Sequence, residues 1–245
     1  MISVVIATFN VESVLQRALD SLCCQNNQDL ELVIIDGASK DKTVDIAKNF
    51  IFNNKVIISE PDDGIYDAFN KGWKAAHGDW IYYLGADDEL LPNAFDRLLN
   101  ESEHTDCIYG NVFLRDEKNQ LSQFHSKPAN VLPKAMCCSH QAILMKKSVL
   151  ESLNGFDCQF KVSADYELLL RAYLGGFIFK YVDTNVAYFS CDSGASSKLK
   201  WSSVVEQYHI YKKNKANSFP CIAVAWNFLK RLIRMYIFDP KKQKK

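Results

Sequence analysis

The chain has 245 residues, 48% of them hydrophobic, which is enough apolar material for a large buried core and excludes a disordered polypeptide. Its 29 lysines and arginines balance its 29 aspartates and glutamates, so no net field draws it to nucleic acid, and no nucleic-acid partner is expected. The eight cysteines include the adjacent pairs Cys23-Cys24 and Cys137-Cys138 but no C-x-x-C spacing; they read as reduced, mostly buried thiols of a cytoplasmic protein rather than a zinc or redox motif.

Residues 1–6 lack the basic flank and long apolar run of a secretory signal and predict a first strand. After Thr8-Phe9-Asn10, the apolar residues Val14, Leu15, Ala18, Leu19, Leu22 and Cys23 recur at helical spacing. The same order returns twice, and a fourth strand follows. A strand over 30–35 breaks at Asp36-Gly37-Ala38-Ser39 before a helix containing Val44, Ala47 and Phe50. A strand over 55–59 precedes a helix over about 65–76, and a strand over 80–84 ends at Gly85-Ala86-Asp87-Asp88. Such alternation predicts an α/β fold whose mainly parallel sheet is covered by helices on both faces. Ligands of open α/β sheets bind beyond the carboxyl ends of the strands, where helix N-termini converge.

The second half changes character. Residues 107–114 and 120–124 predict neighbouring strands joined by the polar turn 115–119, which makes the sheet mixed. A loop over 128–133 and the segment 139–145 lead to a short helix near 148–153, then to a helix over 164–174 closed by Gly175-Gly176. A strand-rich stretch over 177–189 and a polar helix over 201–213 follow.

Several polar residues fall where the strands end. Asp87 and Asp88 put two like charges at the end of an apolar strand, which costs free energy unless a cation or hydrogen bonds compensate. Mg²⁺ or Mn²⁺ completed by phosphate and water would do so; a solvated turn capping the helix after Pro92 is the other reading. Asp36 suits either a nucleobase or ribose contact or an ordinary turn acid, and Asn10 either a nucleotide contact shared with Thr8 or a helix cap. Asp165 opens a helix, where the dipole favours a carboxylate whatever its role.

In their order, Val4-Val5-Ile6-Ala7-Thr8-Phe9-Asn10, Val33-Ile34-Ile35-Asp36-Gly37-Ala38-Ser39, Glu60-Pro61-Asp62-Asp63-Gly64-Ile65-Tyr66-Asp67-Ala68-Phe69-Asn70-Lys71-Gly72 and Leu84-Gly85-Ala86-Asp87-Asp88 resemble the family-two glycosyltransferases of GT-A fold. Among these the chain is similar to bacterial enzymes that build O-antigen, capsule and colanic-acid repeat units. The resemblance covers roughly residues 2–190 and implies a GT-A catalytic domain over 1–215, with a Rossmann-like nucleotide half over about 1–100 continuous with a mixed-sheet acceptor half over 101–215. It further implies inverting, metal-dependent transfer of a hexose from a nucleoside diphosphate sugar, UDP favoured and GDP open, to a lipid-linked (polyprenyl diphosphate) saccharide, forming a β-linkage.

Carried over by position, the likeness places Thr8, Asn10, Asp36, Asp63, Asn70, Lys71 and Asp87 with the donor, Asp36 at the base and Asp87 on the ribose side. It places Asp88 on Mn²⁺ or Mg²⁺. His140, in Ser139-His140-Gln141-Ala142, and Asp165 match acceptor-side motifs, with Asp165 as the catalytic base; a structural histidine is the other reading of His140. Gly85 departs from the pattern, because many relatives carry a further acid there.

Residues 219–238 predict an amphipathic helix, with Ile222, Trp226, Leu229, Ile233 and Ile237 on one side and Lys230, Arg231 and Arg234 on another. With the basic residues of 241–245, the tail 216–245 is expected to lie in the cytoplasmic membrane interface, or else to pack on the domain. Two rival functions exist. A nucleotidyltransferase needs a glycine-rich basic loop that Thr8-Phe9-Asn10-Val11-Glu12 does not offer. A non-catalytic nucleotide-sugar-binding module would have no need of all four of Asp36, Asp87, Asp88 and Asp165.

Overall fold

The computed structural model describes residues 1–26, 29–190, 201–216 and 229. The predicted tail helix, apart from Leu229, and the basic end lie outside the described residues.

The first half alternates strand and helix as the apolar spacing dictates: β1 (Ile2–Thr8), α1 (Leu15–Leu22), β2 (Leu30–Asp36), α2 (Thr43–Asn49), β3 (Lys55–Ser59), α3 (Ile65–Ala75) and β4 (Trp80–Tyr83). The four strands pair in parallel in the order β3-β2-β1-β4. Side chains alternate across a strand, and here the alternation divides the core in two. Val4, Ile6, Leu32 and Ile34 pack with Leu15, Ala18 and Leu19 of α1. Val5, Val33 and Ile35 pack on the other face with Tyr66, Phe69 and Trp73 of α3.

The second half adds β5 (Glu89–Leu90), α4 (Ala94–Leu99), β6 (Cys107–Arg115), β7 (Leu121–Phe124), β8 (Ile143–Lys146), α5 (Lys147–Leu153), α6 (Ala164–Leu174), β9 (Phe179–Ser190) and α7 (Trp201–Lys213). One nine-stranded mixed sheet results, with β8 antiparallel between β4 and β6, β9 parallel to β6, and β7 pairing with β6 off the main path. The two predicted halves therefore share a continuous sheet. No helix among the described residues is long and apolar enough to cross a membrane.

α7 departs from its polar reading. Ile210 and Tyr211 are fully buried, and the Tyr211 hydroxyl donates to the Lys134 carbonyl at 2.6 Å. Lys213 pairs with Asp157 at 2.5 Å and with the buried Glu167 at 2.9 Å, while Arg171 holds Glu167 from within α6. Spaced ionic contacts to distant partners do not register as an apolar stripe, which is why the helix looked peripheral. The thiols also differ from expectation: Cys107, Cys137 and Cys138 are buried, but Cys23 and Cys24 are exposed because they follow the end of α1.

α3 lies close against β1 because position 72 has no side chain; a Cβ there would meet Val5 Cγ1 at 2.3 Å. Val5 is fully buried, so it has little room to yield. Gly72→Ala should overpack this contact and destabilise the protein by about 1–3 kcal/mol, read as a lower denaturation midpoint at unchanged slope. An unchanged midpoint would show that α3 can move away freely.

Candidate active site

At the carboxyl ends of β1, β2 and β3 a polar cluster replaces the apolar sheet. Asp36, 1% exposed, accepts from the Thr8 hydroxyl at 3.1 Å, from the Ser39 amide at 2.9 Å, from the Ser59 hydroxyl at 2.7 Å and from the Ser39 hydroxyl. Burial opposes ionisation, but the bonds from Ser39, Ser59 and Thr8 outweigh it and hold the carboxyl below its ordinary range. A carboxylate offers about four acceptor sites, and all are filled by the protein. Thr8 and Asp36 thus form a buried floor, and a base could reach Asp36 only by displacing a hydroxyl.

The loops above that floor are laced together. Asn10 does not cap α1; in left-handed backbone at φ 52°, it accepts the Lys40 amide at 2.9 Å and gives its own amide to Ser39. The Glu12 carboxylate accepts the Lys42 amide, and Asp41 accepts the Glu12 amide. Phe9 stands 62% exposed above Gly37, where a Cβ would meet its ring at 3.3 Å and Asp62 Oδ2 at 2.6 Å. Sequence pattern assigns neither Phe9 nor Asp62 a role; the exposure of a large aromatic ring in the fold is what marks Phe9.

Past β4, the acidic pair is held from both sides. Arg17 of α1 donates to the Asp87 carbonyl at 2.8 Å and pairs with Glu89, which also binds Arg115. Ser190, at the end of β9, gives its amide to Asp88 Oδ1 at 2.8 Å and its hydroxyl to the Asp87 carbonyl at 2.7 Å. The group does not cap the helix after Pro92; Gln25 accepts the Ala94 amide there. Asp88 is 1% exposed and its Oδ2 has no partner. Burial, with the charge of Asp87, pushes its carboxyl up to about 7 against the opposing pull of Ser190, Gln141 and Arg17. No group of three or more candidate metal ligands occurs among the described residues. An orphaned, desolvated carboxylate oxygen with a second acid beside it nonetheless fits a cation completed by phosphate and water.

The Asp63 to Gly72 motif turns out to work inward. Asn70 gives its amide to the Phe156 carbonyl at 2.9 Å and accepts from the Trp73 indole and the Phe156 amide. Lys71 binds the Pro61 carbonyl, Glu60 and Asp67. Both were expected at the donor, but each has its polar atoms committed to the protein. Asp63 is exposed, and its carbonyl accepts from Lys161. Tyr66 donates to the Val162 carbonyl at 3.0 Å and to Asp165 Oδ1 at 3.2 Å. Burial, then the charge of Asp165, keeps that hydroxyl protonated.

Asp165 is half-buried in the first turn of α6 and also accepts the Tyr166 amide at 2.8 Å. His140 stacks on Phe69 at 5.4 Å and packs on Tyr83 and Phe156, with Nε2 buried and unpartnered. Burial lowers its pKa while Asp165 opposes the shift, so the ring is neutral near pH 7. The segment Ser139 to Ala142 is felt by both acids: the charge of Asp165 acts on His140, and Gln141 draws the Asp88 carboxyl down against its burial.

A parallel sheet with acids beyond its carboxyl edge, continuous with a mixed sheet and faced by a further acid at the start of α6, is the GT-A architecture of sugar-transferring enzymes. Residues 3–162 match the model of Glycosyl transferase family 2, and the chain belongs to that family. Over 207 residues it is 31% identical to a PGL/p-HBAD biosynthesis glycosyltransferase of Mycobacterium bovis, covering 81% of this chain and 80% of that protein. Its fold is similar to Staphylococcus aureus TarS 1-349 in complex with UDP-GlcNAc, at TM-score 0.69 and 16% identity over 87% of this chain and 65% of that one. It is equally similar, at TM-score 0.69 and 16% identity, to the mannosyltransferase PcManGT from Pyrobaculum calidifontis in complex with GDP-Man and Mn²⁺, over 92% and 71%. The chain spans 39% of the longer TarS chain.

The raised carboxyl of Asp88 has a consequence for stability. Between the ordinary aspartate range and about 7 the folded protein holds a proton that the unfolded chain has released, so the stabilisation is full in acid and lost as pH rises through about 7. In metal- and nucleotide-free protein, Asp88→Asn should raise the melting temperature at pH about 8 and change it little at pH about 4. Parallel melting curves of the two proteins across that range would remove Asp88 as the desolvated acid.

Proposed function

We propose that this glycosyltransferase moves a hexose from a nucleoside diphosphate sugar, with a uridine diphosphate hexose as first choice, to a hydroxyl of a lipid-linked saccharide in bacterial surface polysaccharide synthesis. The observation that carries the reading is the contrast between Asp88, deeply buried with its Oδ2 unpartnered beside Asp87, and the half-exposed Asp165 at the start of α6. Leaving group and acceptor need opposite treatment, and the two acids differ accordingly.

The exposed ring of Phe9 suits stacking on the base, while the Thr8–Asp36–Ser39 cluster holds the loop beneath it. Asp87 takes the ribose side. Asp88, with Asp87 beside it, would hold Mn²⁺ or Mg²⁺, whose charge offsets that of the departing diphosphate. Asp165 takes the proton of the acceptor hydroxyl as that oxygen bonds to the anomeric carbon and the nucleoside diphosphate leaves, a single displacement that inverts configuration. His140, neutral and walled in by aromatic rings, shapes the pocket behind Asp165. A uridine donor is supported by the likeness to TarS, solved with UDP-GlcNAc, and a guanosine donor by the likeness to PcManGT, solved with GDP-Man. A lipid-linked acceptor accords with the amphipathic pattern of residues 219–238 and a peripheral place at the cytoplasmic membrane face.

The test is incubation with Mn²⁺ and a panel of UDP-glucose, UDP-galactose, UDP-GlcNAc and GDP-mannose, scoring nucleoside diphosphate release and transfer to a lipid-diphosphate sugar. One donor should be consumed, and chelation should stop it; full turnover in chelator would defeat the metal assignment. Asp165→Asn should lower transfer at least about a hundredfold with donor affinity by calorimetry unchanged. Normal turnover in that variant would remove Asp165 as the base.

A further inference from the structure

We propose that Glu206 of α7 is a positioning residue for Asp165, so that the working parts of the site extend beyond residue 162, where the family match ends. The proposal rests on the reading of Asp165 as the base.

A helix start leaves backbone amides without partners, and a side chain at its own N-cap normally takes one of them. α6 lacks that local solution: Ser163 is its N-cap and makes no side-chain capping bond. Glu206, from a different helix, takes the N-cap amide of Ser163 together with the amides of the two residues that lead into it. Its Oε1 accepts the Lys161 amide at 2.8 Å, and its Oε2 accepts the amides of Val162 at 3.1 Å and Ser163 at 2.9 Å. Three amides on one carboxylate make charge-assisted bonds at the end of a helix that favours negative charge.

The turn so gripped reaches Asp165 by two routes. Through the backbone, Ser163 leads directly into Ala164 and Asp165. Through side chains, the Val162 carbonyl and Asp165 Oδ1 share the single proton of the Tyr66 hydroxyl, at 3.0 and 3.2 Å. If the turn shifts, that proton is redistributed between the two acceptors, and the carboxylate loses both its aim and part of its hydrogen bonding. Lys161 adds a third tie, donating to the Asp63 carbonyl at 3.1 Å. α7 can serve as the anchor because the buried Ile210 and Tyr211, with the Tyr211 hydroxyl on the Lys134 carbonyl, dock it independently of Glu206 and of the ion pairs at its far end.

The experiment compares Glu206→Gln and Glu206→Ala with Lys213→Met, which loosens α7 away from the 161–163 turn. Turnover is measured with the donor of the panel that supports it, and amide exchange with the free protein. Gln keeps one acceptor oxygen and Ala none, so kcat should fall in the order Glu, Gln, Ala, by about tenfold to a hundredfold for Ala, with donor KM unchanged. Exchange at the amides of 161–163 should accelerate while α7 stays protected. Lys213→Met should lower the melting temperature and leave kcat near wild type well below it.

Wild-type kcat in Glu206→Ala would overturn the proposal, as would an equal loss in Lys213→Met at an equal drop in melting temperature. The two layers fail separately. An active Asp165→Asn sinks the base assignment; an inactive Asp165→Asn beside a fully active Glu206→Ala sinks only the role of Glu206.

Discussion

Burying a carboxylate in this sheet requires compensation, and the functional geometry follows from how each buried acid obtains it. Asp36 receives four donors from its own neighbourhood and stays ionised. Glu167 receives Arg171 and Lys213. Asp88 receives the Ser190 amide on one oxygen, while the other is left without a partner beside a second acid. The protein can build fully paired acids, and it does so three times, the third at Glu31, which Ser3 and His77 hold. The incomplete pairing of Asp88 is what the proposed cation would complete, whereas Asp36 is satisfied by the protein itself.

Gly85 illustrates how little slack that arrangement leaves. A Cβ at position 85 would fall 2.2 Å from Asp88 Oδ2 and 2.9 Å from its Cγ. The Asp88 carboxylate is folded back over the chain into space that any side chain at 85 would need. The missing acid of the usual spelling is thus tied to the posture of the acid that remains. Arg17 and Ser190 hold that posture through the Asp87 carbonyl, one from α1 and one from β9, so the two halves of the sheet meet on this loop.

What the sequence made legible divides along physical lines. The parallel half could be read because its signals are local: buried β-branched runs, helical spacing and polar breaks at strand ends, so that the expected strand over 55–59 is found at Lys55–Ser59. Strand order in the second half could not, since nothing in residues 143–146 announces that β8 inserts between β4 and β6. The same limit governs the site. Thr8, Asp36, Asp87 and Asp88 stand at strand ends, where topology alone brings them together. Asn70 and Lys71 looked equally suited to a ligand, but a side chain's partner is a tertiary fact, and Phe156, Trp73, Glu60 and Pro61 claim them. Glu206 carries no signal at all, because a carboxylate that grips a turn from another helix has no fixed spacing from that turn.

The inward role of the motif from Asp63 to Gly72 accounts for its density of unusual residues. Gly72 lets α3 approach β1, Tyr66 reaches Asp165, and Asn70 grips the loop at Phe156, all from one helix. These contacts lie at i, i+4 and i+6 along α3, so no single replacement can be absorbed by rotating or sliding the helix without breaking another. A segment that only touched a ligand could vary with that ligand. One that fixes the distance between the strand-end acids and the acid of α6 is, on the proposed mechanism, constrained by the geometry of bond formation, which different sugars share. On this view donor and acceptor selectivity reside in the more exposed surfaces around that frame, beginning with Phe9, and the frame itself serves the displacement.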